Sequence, residues 1–162
     1  MSHTAIDLNE FKGSLSRIEA SVEGLTEAQL SWKPAPEKWS IKEVVAHLAD
    51  HLVVTTFRIR QIVSEEVPQV PAFDQDAWVA GILANDVPLQ ELLDTYRVLL
   101  DVNLPILKRL TPEQWSRTAV NPRGKTVTLV ELLEGFIKHI GTHQGQIERN
   151  KQAFVQAAAA SS

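Results

Sequence analysis

The stretch Ser40-Ile41-Lys42-Glu43-Val44-Val45-Ala46-His47-Leu48-Ala49-Asp50-His51-Leu52 decides the fold class of this chain. Ser40 and Glu43 stand three apart, the spacing of a capping box, in which two side chains satisfy orphan backbone donors of a first helical turn. Behind the cap, Ile41, Val44, Val45, Leu48, Leu52 and Ile59 recur at steps of three and four. That period predicts an amphipathic helix from just after Ser40 to about residue 64. The same box recurs at Thr26 with Gln29, Thr111 with Gln114, and Thr128 with Glu131. Repeated helix starts of this kind predict an all-α chain.

Working outward, apolar periodicity predicts a first long helix over about 6–22 and a short one over 26–32, separated from the Ser40 helix by Pro34-Ala35-Pro36. A further short helix is expected from about Asp74, in Pro71-Ala72-Phe73-Asp74-Gln75-Asp76-Ala77-Trp78. A third long helix should span about 88–110, kinked or interrupted by Pro105. Thr111-Pro112 opens another short helix. After the turn Asn121-Pro122-Arg123-Gly124, a fourth long helix should run from about Thr128 to Lys151. Leu25-Thr26-Glu27-Ala28-Gln29-Leu30-Ser31 resembles Leu110-Thr111-Pro112-Glu113-Gln114-Trp115-Ser116, and each precedes a capped long helix carrying histidines four apart. Two related halves or a chance recurrence of capped helices would both produce this pattern. The expected architecture is a four-helix bundle with short connecting helices, one domain over 1–155 and a frayed tail over 156–162.

The length of 162 residues suits one domain with a core of its own. The absence of cysteine excludes disulfides, zinc ribbons, iron–sulfur clusters and thiol nucleophiles, leaving histidine and carboxylate as the strong metal ligands. A net charge of −4 without a basic run argues against nucleic acid as a partner. The first ten residues contain no signal-peptide core and no apolar stretch is long enough to span a bilayer, so the expected compartment is the cytoplasm and no membrane partner is expected.

Four of the five histidines form two pairs, His47 with His51 and His139 with His143, each at i,i+4 on a predicted helix. Residues four apart share one helix face, so both imidazoles of a pair can reach one ion. Five histidines placed at random would give roughly 0.1 such pairs. On the last helix, Leu129, Leu133, Phe136, Ile140 and Ile147 form the apolar stripe, with His143 inside it, His139 at its flank and Gln146 beside them. His47 and His51 lie along one edge of the earlier stripe, and His51 is at least as close to it as His47. Any single histidine is most simply a core residue satisfied by a hydrogen bond; two facing pairs point instead to a metal held between helices. Neither His-Leu-Ala-Asp-His nor His-Ile-Gly-Thr-His has the Glu of H-E-x-x-H, so this is not a zincin.

Trp32-Lys33-Pro34, the run from Trp39 to Asp50, and His139-Ile140-Gly141-Thr142-His143-Gln144-Gly145-Gln146-Ile147 together resemble the DinB-like superfamily of helical-bundle metalloproteins. The resemblance covers nearly the whole chain, and Asp74-Gln75-Asp76-Ala77-Trp78 is similar to one branch of that superfamily. It implies three histidine ligands, falling here on His47, His139 and His143, with zinc or nickel as the ion. The preference for His47 over His51 comes from the resemblance alone, and it leaves His51 as a supporting residue or a fourth ligand. Three ligands leave one position open for chemistry, whereas four close the site. The resemblance further implies a metal-dependent enzyme of the thiol S-transferase or hydrolase type acting on a small molecule, or else a non-catalytic metal-stabilised stress-response or binding module. Lacking cysteine, a transferase would need an exogenous thiol such as bacillithiol or mycothiol. A homodimer formed through a helix face fits the same picture.

Asp50, Asp74 and Asp76 are candidates for steadying a ligand imidazole or serving as a general base. The local alternatives are a helix cap for Asp74 or Asp76, and a place on the polar side of its own helix for Asp50. Arg58 shares a helix side with His51 and could receive an anionic substrate, although a solvated or ion-paired arginine is the simpler expectation. Gly124-Lys125-Thr126 ends like a phosphate-binding loop, but position 119 is Ala119 and no strand is expected before it, so it reads as a turn. Trp32, Trp39, Trp78 and Trp115 sit near helix ends, where wide rings close off a core or line a pocket.

Overall fold

Three of the four long helices begin where a side chain holds the first turn, at Asp7, Ser40 and Thr128; the one that starts at Leu89 follows Pro88 and has no side-chain cap. The computed structural model describes residues 6–161; residues 1–5, which belong to the segment read as lacking a signal peptide, and residue 162, the last of the expected frayed tail, lie outside the described residues. The helices are α1 Leu8–Val22, α2 Glu27–Ser31, α3 Ile41–Ser64, α4 Gln75–Gly81, α5 Leu89–Arg109, α6 Pro112–Trp115 and α7 Leu129–Ala160. All four expected capping boxes are formed, on α2, α3, α6 and α7.

α1, α3, α5 and α7 make a four-helix bundle in which α3 packs between α5 and α7, and α1 packs against the same two helices. The core runs through Phe11 and Ile18 of α1, Leu48, Leu52 and Ile59 of α3, Tyr96 and Leu107 of α5, and Leu133, Phe136 and Ile140 of α7, all buried. Polar ties fix the register. Ser14 Oγ and Tyr96 Oη lie 2.7 Å apart between α1 and α5, and Asn103 Nδ2 donates to Thr56 Oγ1 at 2.8 Å between α5 and α3. Asn150 Nδ2 donates to Trp39 O at 2.9 Å. The end of α7 therefore lies beside the start of α3, so the two helices run antiparallel and their histidines meet. The buried Lys42 ammonium pairs with Glu27, fastening α2 to α3.

The all-α bundle is the fold observed, and three finer expectations need correction. Thr118–Val120 (β1) and Thr126–Thr128 (β2) form a small antiparallel hairpin, so a strand does precede Gly124-Lys125-Thr126. That segment is nevertheless a turn, with Asn121 Oδ1 accepting from Arg123 N and Lys125 N. Three-residue strands rich in Thr and Val are too short to impose a readable alternation. Pro105 does not interrupt α5, which continues to Arg109; Pro105 and Asp101, whose carbonyl loses its partner, both face solvent. α7 continues nine residues past Lys151 to Ala160, because alanine is the best helix former and Phe154 meets Trp32 edge-on at 5.6 Å. A 3-10 turn at Ala84–Asp86, not expected from the sequence, follows α4. None of the described helices is long and apolar enough to cross a membrane.

Candidate metal centre

α3 and α7 bring His47, His139 and His143 together, and one ring nitrogen from each lies within 4.8 Å of the others. His139 Nε2 is 3.1 Å from His47 Nε2 and 3.0 Å from His143 Nε2. A neutral imidazole nitrogen offers either one proton or one lone pair. Hydrogen bonding can therefore satisfy only one of these two contacts, and the other would set like against like. A cation accepting all three lone pairs resolves the conflict. Zinc held by imidazoles at about 2.0–2.1 Å in a tetrahedral array would set the nitrogens about 3.3 Å apart, close to the separations found.

The rest of each ring supports that role. His143 Nδ1 lies 2.8 Å from Gln146 Oε1, which accepts its proton and so leaves Nε2 as the lone-pair nitrogen. Nδ1 of His47 and of His139 is buried without a partner in the described chain. Burial, with repulsion from His143 and then His139, holds His47 down at about 3. Burial and then His143 hold His139 at about 4. Burial also lowers His143, against an opposing pull from Gln146. The three rings are thus neutral, the form that ligates metal, across the physiological range.

His51 is not part of this three-nitrogen group. Its ring stacks on His139 at a centroid distance of 4.1 Å and on Phe136 at 5.4 Å. Burial first, then the neighbouring histidines and Arg58, hold it at about 3. Trp39 covers the other side, 4.9 Å from His47 and 6.4 Å from His143. Phe73 stacks at 6.3 Å from His47 and meets Trp78 at 4.9 Å. Trp39 and Phe73 are thus walls of the site. Phe73 drew no attention in the sequence, although an aromatic residue directly before a capped helix was the available signal.

The carboxylates separate. Asp74 caps α4, accepting from Ala77 N at 3.0 Å, and Asp76 is exposed. Asp50 is only partly solvated: its Oδ2 is buried without a partner, and burial raises it to about 6. Arg58 is neither fully solvated nor in an ion pair among the described residues; its Nη2 donates to Pro71 O at 2.6 Å.

The sequence profile of the DinB superfamily matches residues 10–147. The chain belongs to the DinB superfamily. YfiT of Bacillus subtilis is 27% identical to this DinB chain over 140 residues, covering 82% of it and 75% of YfiT. The solved structure of YfiT, described as a probable metal-dependent hydrolase with an unusual four-helix bundle topology, superposes with a TM-score of 0.83 at 22% identity, over 91% of this chain and 85% of that one. The structure of a mycothiol-dependent maleylpyruvate isomerase superposes with a TM-score of 0.67 at 16% identity, over 86% of this chain and 58% of the isomerase. At these identities the structural likeness establishes the bundle fold. Among the described residues of this DinB chain, the histidine triple is a group whose ring nitrogens could hold a metal ion.

Proposed function

We propose that the chain is a metal-dependent enzyme that holds one zinc or nickel ion on His47, His139 and His143 and acts on a small electrophilic molecule by hydrolysis or by transfer of an exogenous thiol. The observation that carries this reading is the approach of two imidazole nitrogens to His139 Nε2, which has one lone pair to share. A bound divalent ion supplies Lewis acidity, worth several kcal/mol of charge stabilisation.

The chain's own groups do the rest. Gln146 fixes the His143 tautomer, and Trp39 and Phe73 shield the rings from water. A cavity of about 280 Å³ reaches His51 and, of the three cluster histidines, His139, beside which a small molecule could sit. His51, held at about 3, is too weak a base to take protons near neutral pH and serves as a wall stacked on Phe136 and His139.

Metal content of untagged protein, beside a His143→Ala variant, tests the reading. About one ion per chain, lost in the variant, supports it and leads to screens with and without an added low-molecular-weight thiol. No ion in either protein after incubation with zinc or nickel sinks it. Turnover that appears only with thiol assigns transfer; turnover without it assigns hydrolysis.

A further inference from the structure

The cavity beside the cluster has a chemistry that the metal does not explain. His139 and His51 line one part of its wall, and Arg58, Thr55, Asn121 and Glu131 contribute other polar groups over apolar Val70 and Phe136. Arg58 Nε is inaccessible to solvent and has no hydrogen-bond partner in the described chain, and His51 Nδ1 is in the same condition. The Glu131 carboxylate is engaged elsewhere, accepting from Thr128 N at 2.9 Å in the α7 cap, and makes no ion pair with Arg58. Burial lowers Arg58 from its ordinary value, with no anion among the described residues offsetting it. Arg58 and His51 stand seven residues apart on α3 and line the same cavity. Arg58 is half-buried and its Nη2 donates to Pro71 O, so its charge is partly desolvated and an incoming anion would offset that cost.

We propose that Arg58 is the anchor of a carboxylate-binding subsite, and that the small molecule processed at the centre carries a carboxylate which Arg58 receives while the rest of it extends toward His139. The planar guanidinium fork matches two carboxylate oxygens. A cavity of about 280 Å³ suits a small acid. The direction of binding rests on the metal-dependent reading; the Arg58 subsite itself does not.

The test is titration of zinc-loaded and of metal-free protein with propionate, its neutral isostere propionamide, and inorganic phosphate. It is read by calorimetry and by the ¹⁵N-resolved shift of the Arg58 Nε–H. Propionate is expected to bind both forms saturably and move that resonance, with propionamide weaker by about tenfold or more. Arg58→Gln should lose about tenfold or more in propionate affinity and Arg58→Lys should retain part of it, with thermal melts showing that both variants are folded. Equal binding of propionamide, unchanged affinity in Arg58→Gln, or no saturable propionate binding overturns the subsite. Tighter binding of phosphate than of propionate overturns its assignment to carboxylates. Failure of the protein to take up metal sinks the enzyme reading but leaves the metal-free titration to decide this one.

Discussion

His139 faces two imidazole nitrogens at once, so the chemistry of the site depends on what its Nε2 shares. Around it, Gln146 sets the His143 tautomer. Gln146→Leu, similar in size and unable to accept, is expected to weaken zinc affinity by about 10–100-fold. Competition with a chromophoric chelator measures this, and an unchanged affinity would remove Gln146 from the site. His51→Phe preserves the stack on Phe136 and His139 while removing a buried nitrogen that has no partner. It should keep one ion per chain and at least wild-type thermal stability; loss of the ion would make His51 a ligand. The two histidine pairs were legible in the sequence because an i,i+4 spacing fixes a helix face. The distinction between His47 and His51 was not legible from periodicity, which fixes a face but not the direction in which a ring turns on it. The stack of His51 on Phe136 is a tertiary contact that no spacing within α3 records.

α3 carries His47 and His51, and its first turn is built by one short-range device. Ser40 Oγ accepts from Glu43 N at 3.0 Å, Glu43 Oε1 accepts from Ser40 N at 3.0 Å, and the same hydroxyl meets Asn85 Oδ1 at 2.6 Å. Ser40→Ala removes the cap and leaves a buried Asn85 contact unmade, so a loss of about 1–2 kcal/mol in urea unfolding is expected, with metal stoichiometry unchanged because His47 lies two turns on. A loss of metal instead would mean that the start of α3 positions the ring directly. Capping boxes were readable because all their parts lie within four residues. The β1–β2 hairpin, the 3-10 turn and the continuation of α7 were not, since three-residue strands carry no period and the reach of α7 depends on Trp32 meeting Phe154 across the bundle.

At the scale of the whole molecule, four histidines packed without a carboxylate partner set the response to pH. His47, His51 and His139 titrate at about 3, 3 and 4 in the folded chain, against 6.5 when unfolded, and His143 shifts the same way. Between those values the unfolded chain binds protons that the folded chain refuses. Stability of the chelator-treated protein is therefore full above about pH 6.5 and falls as the pH drops toward 4, by about 1.4 kcal/mol per pH unit for each proton fully displaced. Asp50 has the opposite sign: raised to about 6 from 3.8, it favours the folded chain in acid and loses that contribution as the pH rises through 6. One carboxyl cannot offset several imidazoles, so the net slope follows the histidines. Zinc in hundredfold excess over its Kd adds about 2.7 kcal/mol, a rise of roughly 5–10 °C in Tm for a chain of this size. Because the ligands must be unprotonated, that increment should shrink as the pH falls. Melts from pH 4.5 to 8, with and without zinc, measure both effects. A metal-free profile flat below pH 6.5 would mean that the rings are solvated in the folded chain. A steep profile with no response to zinc would keep the packed cluster and remove the ion.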